Sequence, residues 1–456
     1  MTTRTRRRSV LLAPLVAAVV AACAGPLPAA TPVPTGAPGS TAAPSPAIAP
    51  TVDPTTPAGT PAPVATVSPT QELIDFLLDV VATAPDDGEA QRDLGIALLQ
   101  RVRETADPSL YPRAEAALLA ARELRPDDPL VLAGIGSLQL GRHEFAEALA
   151  TGRTALEAFP DDAAAQAIVV DALVELGRYD EAFRRAEALA VASPDLASLA
   201  RLSYVHELRG DLPAALEAME RAATFPGLAA ENTAYVLALV GHLRTLTGDA
   251  PGAAAAYAEA LRLVPDHAPS LAGEGRLAVG AGDLATAAAR FERAAAVVPL
   301  PEYVIALGET LEAHGDAAAA ERQYDLARAL ITLARANGVV VDVDLALFEA
   351  DHGDAATALD LAEDAAAATP TVRAADARAW ALHRLGRHRE AAAFSDEALR
   401  LGSRDPLLRF HAGAIAAALG RTTVARDHLR AALAADPGFS PTGAAEARRL
   451  LDALGG

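Results

Sequence analysis

From Gln71 to the C-terminus, apolar residues recur at the three- and four-residue spacing that lines one face of a helix. The first such run, QELIDFLLDVVATAPDD, ends at Pro85 and is followed by Asp86 and Asp87, a stop and a new start. The pattern predicts an all-α chain from residue 71 onward. Upstream it fails in two ways. Residues 10–22, VLLAPLVAAVVAA, are continuously apolar, whereas residues 24–70 hold 13 prolines and 9 threonines with Asp53 as their one charge. The second stretch cannot bury a core, and it predicts a disordered linker of extended, solvated backbone.

The helical region is self-similar. Glycine followed by Arg or Asp recurs at Gly141, Gly177, Gly210, Gly248, Gly282, Gly315, Gly353, Gly386 and Gly420, at spacings of 33 to 38 residues. Five residues after each stands an alanine: Ala146, Ala182, Ala215, Ala253, Ala287, Ala320, Ala358, Ala391 and Ala425. Twelve after, seven of the nine are again alanine, and seventeen after, proline appears at Pro194, Pro265, Pro299, Pro370 and Pro437. The glycines suit left-handed helix ends. The alanines share one helical face and let a second helix press on a first, so a leucine there overpacks by roughly 1–3 kcal/mol. Proline stops the second helix. A further glycine seven residues before the turn, in Gly134, Gly241, Gly275, Gly308 and Gly413, predicts helices that cross closely. The units near Asn337-Gly338 and Gly402-Ser403 lack the proline, and 317–336 reads as a longer second helix.

Units such as ALVELGRYDEAFRRAEALAVASP and GDAPGAAAAYAEALRLVP resemble the tetratricopeptide repeat, a helix pair of about 34 residues. The resemblance implies a right-handed superhelical solenoid of about ten pairs. Its expected divisions are an N-terminal helix with a degenerate first repeat over 71–126, a repeat array over 127–437 and a capping helix over 438–456. In that family the first helices line a concave groove, and a residue six before each turn glycine points into it. Those positions are Ile135, Asp171, Tyr204, His242, Arg276, Glu309, Leu347, Trp380 and Ala414, joined by neighbouring Glu175, Glu207, Glu312, Arg373, Asp376, His383 and Arg384. Such a groove holds an extended or helical segment of a protein partner. Trp380, the single tryptophan, reads either as a core anchor between repeats or as a stacking residue in the groove.

Residues 1–22 order as a secretory signal: an arginine-rich start, the apolar run, then alanines leading into Cys23, the one cysteine. Thirteen residues rise only ~20 Å as a helix, short of the roughly 30 Å hydrocarbon core of a bilayer. Val20-Ala21-Ala22-Cys23 resembles the lipobox of bacterial lipoproteins, which implies cleavage before Cys23, acylation of its thiol and residence at the cell envelope outside the cytoplasm. Thr5-Arg6-Arg7-Arg8-Ser9-Val10-Leu11 resembles a twin-arginine motif, so the export route stays open. The expected divisions here are 1–22 as signal and 23–70 as lipidated cysteine plus linker.

A formal charge of −20 argues against nucleic acid as a ligand. Ten histidines form no HExxH pair, and His383 and His388, five apart, do not share a helix face. No nucleophile elbow or phosphate loop is present. The expectation is a non-enzymatic protein-binding scaffold without metal or cofactor. Rival readings are an envelope accessory protein that recognises glycan or lipid through Trp380, self-association of the array, and a hydrolase built on the histidines.

Overall fold

The computed structural model describes residues 68–225, 230–340 and 343–455. Cys23, the apolar run and the linker up to residue 67 lie outside them; the expected end of the linker at 70 moves back, because Pro69 and Thr70 already belong to the first helix. The described residues form helices and no strand. After α1 (Pro69–Thr83) come five pairs: α2 (Gly88–Thr105) with α3 (Tyr111–Leu124), α4 (Pro129–Gly141) with α5 (Phe145–Ala158), α6 (Ala163–Glu175) with α7 (Tyr179–Ala192), α8 (Leu196–Leu208) with α9 (Leu212–Ala222), and α10 (Ala230–Leu246) with α11 (Ala250–Leu263). Five more follow: α12 (Ala268–Ala281) with α13 (Leu284–Val297), α14 (Pro301–His314) with α15 (Ala317–Ala336), α16 (Val343–His352) with α17 (Ala355–Ala368), α18 (Val372–Arg384) with α19 (His388–Ala398), and α20 (Pro406–Ala418) with α21 (Thr422–Ala435). α22 (Pro441–Ala453) ends the chain. The array is a helical solenoid of ten pairs with one flanking helix at each end. The stretch expected to be degenerate folds as a full pair, α2 with α3, joined through a 3-10 turn at Pro108–Leu110 whose entry Asp107 caps.

Seven of the nine repeat glycines, among them Gly177, Gly248, Gly282 and Gly420, take left-handed backbone between first and second helix. In the Gly-Asp turns, Asp211, Asp249, Asp283, Asp316 and Asp354 then accept an amide bond from the second helix. Such a cap contributes about 1 kcal/mol. The alanines five residues on, from Ala182 through Ala253, Ala287 and Ala358 to Ala425, are at most 2% exposed. Pro194, Pro265, Pro299, Pro370 and Pro437 each directly follow the residue that closes a second helix. Where that proline is missing, a left-handed glycine, Gly338 or Gly402, stands instead. α15 is 20 residues long, as its pattern predicts.

Two expectations need correction. In the second pair the left-handed residue is His143 (φ 60°), not Gly141, so the packing alanine is the fully buried Ala148 and not the exposed Ala146. Gly353 also lies outside the left-handed region. The glycines seven before the turn do not mark bare backbone crossings either. A Cβ on Gly241, Gly275, Gly308 or Gly413 would enter the side chain of Tyr257, Phe291, Tyr324 or Leu429 respectively, nine residues after the turn. Each glycine is a socket in the first helix for a large side chain of the second.

The solenoid also closes on itself. The turn of the second pair meets the loop after the seventh: Val340 donates its amide to the Arg142 carbonyl at 3.0 Å. The third meets the loop after the eighth, where Val372 donates its amide to the Tyr179 hydroxyl at 3.0 Å. Gly210, in the fourth, abuts the Gly402 carbonyl after the ninth. Successive superhelical turns are therefore in contact, and the concave face is narrow.

Candidate interaction surface on the inner face

Several expected groove positions turn away from the groove. Asp171 is 3% exposed and forked by Arg201 of α8, whose Nε and Nη2 reach it at 2.9 and 2.6 Å. This buried ion pair joins neighbouring first helices. Glu309 accepts from the Ser440 hydroxyl at 2.8 Å and meets His352 Nε2 at 3.2 Å. Ile135, Asp376 and Ala414 are buried as well.

Trp380 is 1% exposed. Its indole donates to Asp351 Oδ1 at 2.8 Å, and its two faces carry His411 (centroids 4.0 Å apart) and His383 (4.9 Å) in near-parallel stacks. No ring face is left for a sugar, so the stacking assignment gives way to the core one. His411 Nδ1 lies 2.8 Å from the buried Asp376 carboxylate, which holds the imidazole above its ordinary range against the opposing effect of burial.

The partly exposed set is Glu175, Tyr204, Glu207, His242, Arg276, Leu347 and Arg373. Arg373, at the start of α18, donates to Asp344 Oδ1 of α16 at 2.8 Å. It also lies within electrostatic reach of Tyr204, Asp405 and Glu175, so the third and fourth pairs lie beside the eighth to tenth of the next superhelical turn. Arg276 sits similarly among Tyr257, Asp436, Glu302 and Tyr303. Enclosure pushes the Glu175 carboxyl up to about 7 despite Arg373, and the Asp344 carboxyl likewise to about 7. The Tyr204 phenol rises well above its usual range, also by burial. His242 Nε2 meets Glu207 at 3.3 Å. Glu312 accepts from the Tyr324 hydroxyl at 2.7 Å, and Arg384 donates to the Ala350 carbonyl at 2.9 Å, both on the rim.

Sequence register missed Glu302, Asp344, Asp405 and Asp436, because they stand near the ends of helices rather than six before a turn. The histidine spacing also misled. His383 lies in the last turn of α18 and His388 begins α19, so the turn between them brings their Nδ1 atoms to 3.2 Å. Burial, with His388 and Arg384 nearby, pushes His383 down to about 4. Among the described residues no group of three or more metal-ligating side chains gathers, and no helix is long and apolar enough to cross a membrane.

Comparison with known proteins places this architecture. No curated protein sequence matches the chain. Among solved structures, a human IFIT1 dimer with PPP-AAAA aligns over 73% of this chain and 78% of its own, at 16% identity and a TM-score of 0.45. Cut9, in an APC/C hetero-tetramer with Hcn1, aligns over 84% and 93% at 14% identity and 0.30. MamA from Desulfovibrio magneticus RS-1 aligns over 39% and 94% at 19% identity and 0.28. The sequence profile of the tetratricopeptide repeat matches residues 109–163, 170–230, 273–337 and 377–438, together more than half of the chain. With ten helix pairs of the matching kind, the chain belongs to the tetratricopeptide repeat family.

Proposed function

We propose that the chain is a non-enzymatic scaffold, tethered to a bacterial membrane through acylated Cys23, whose inner face takes an extended protein segment rich in basic side chains. The observation that carries this is the charge along that face. Glu175, Glu207, Glu302, Asp344 and Asp405 stand there against Arg276 and Arg373, and the partly exposed Tyr204 offers ring surface between them. Burial holds the Glu175 and Asp344 carboxyls at about 7, so they part with their protons when a cation approaches; such acids in excess within a narrow, weakly screened space favour a cationic chain and disfavour phosphate. The tether rests on the order of residues 1–23 and on the linker that follows.

Photo-crosslinking from Tyr204 in cells, followed by mass spectrometry, tests the reading. One or a few protein adducts are expected, weakened by Glu175→Arg with Glu207→Arg. Capture of glycan or lipid without protein would transfer the surface to the accessory reading.

A further inference from the structure

Successive superhelical turns touch edge to edge and so close the sides of the inner face, and backbone meets backbone where they do. Besides the Val340 amide, the second pair contributes His143, whose Nδ1 donates to the Val340 carbonyl at 2.9 Å. That bond accounts for a histidine held at φ 60°, where the equivalent turns have glycine. Beside Tyr179, Gly177 faces the Pro370 carbonyl with no room for a Cβ, and Gly210 faces Gly402 in the same way. At the C-terminal end Gly438 presses on the Arg276 carbonyl, and Ser440 donates to Glu309 of α14. These contacts join residues that lie well over a hundred positions apart.

They differ in kind from contacts within a turn. Neighbouring pairs are welded by apolar clusters of nine to sixteen buried residues in six cases. Across the turns, those clusters are linked among the described residues by Tyr111, Val372 and Leu401. The rest is backbone approach, charged groups facing each other, such as Arg373 with Glu175 and Arg276 with Asp436, and hydrogen bonds of modest net value, all of which water can replace. We propose that this docking is an autoinhibitory latch: the coil closes its own inner face, and lengthening of the coil, turn from turn, admits the partner segment. This rests on the inner face being the binding surface. A ligand that fits only the lengthened coil then shifts the population toward it.

Two glycines give a matched test on the full chain. Gly210 and Gly386 have nearly the same backbone, φ 72° and 73°, so alanine strains both alike. A Cβ on Gly210 strikes the Gly402 carbonyl, while one on Gly386 meets nothing within 4 Å. Gly438→Ala adds a wedge against Arg276 without left-handed strain. Small-angle X-ray scattering without any partner should show a larger radius of gyration for Gly210→Ala and Gly438→Ala, at unchanged helical circular dichroism, and none for Gly386→Ala. Scattering identical to the parent in both wedge variants would overturn the latch. So would loss of helix in both, since docking would then be inseparable from folding. Crosslinking from Tyr204 separates the two readings: expansion with a higher adduct yield supports both, whereas expansion with no adduct keeps only the docking between turns and overturns both the groove as a binding surface and the autoinhibition.

Discussion

Single side chains carry the register. Ala146 and Ala148 differ by two positions, yet one is exposed and the other fully buried. Ala148→Leu should therefore overpack the α4–α5 contact and cost ~1–3 kcal/mol, while Ala146→Leu stays within about 0.5 kcal/mol of the parent. Denaturant midpoints check this, and equal costs at the two sites would return the turn to Gly141. The clue was already present: counted from His143, alanine and proline fall at Ala148, Ala155 and Pro160, the same offsets as elsewhere. In sequence Gly141 still outweighs His143 as the turn, because a left-handed histidine is costly unless its side chain gains a partner, and that partner is 197 residues away. A second residue-scale expectation concerns pH. The Glu175 carboxyl, raised by burial from 4.5 to about 7, keeps in the native state a proton that the unfolded chain gives up. Its stabilisation is present below pH 4.5 and lost as pH climbs through 7. Glu175→Gln should thus match the parent's melting temperature near pH 4.5 and exceed it at pH 8. A gap that is constant or opposite in sign would refute the assignment.

At the scale of helices, most of the array was legible because each pair repeats the same solution. A glycine turn, a small-residue face and a proline or glycine stop can be read one unit at a time. The socket between first and second helix was half legible. Gly241 and Tyr257 both stand out in sequence, but only packing shows that one makes room for the other. Gly241→Ala should drive its methyl into the Tyr257 ring and lower stability by ~1–3 kcal/mol. Tyr257→Leu alone leaves a void beside Gly241. Combined, the smaller side chain accepts the methyl, so the double variant should lose less than the two single losses together, with a coupling of ~0.5–3 kcal/mol. Strict additivity would mean that the two residues do not share one space.

For the whole molecule, periodicity says nothing about which turn meets which. Val340 on Arg142 and Gly402 on Gly210 are one-off contacts between distant units, so neither the narrow inner face nor its excess of acids could be read from repeats. The opposite holds for the proposed N-terminal tether, which is argued from sequence alone. Residues 24–70 would span ~145 Å as polyproline-like chain and roughly 35–40 Å as flexible coil. Either length would hold the array clear of a bilayer to which an acylated Cys23 fixed it. A single acyl chain binds a membrane reversibly, whereas two anchor firmly. If Cys23 carries that chemistry, Cys23→Ala removes the acyl sites and leaves a protein that is either uncleaved or shed. Palmitate labelling and membrane fractionation should then show no label and, where cleavage still occurs, protein in the soluble fraction. The helix content should not change, because the array begins at α1, well downstream of Cys23. Retention of the variant on membranes after normal cleavage, with no acyl label in the parent either, would mean that the array is held by a partner and that the linker is only a spacer.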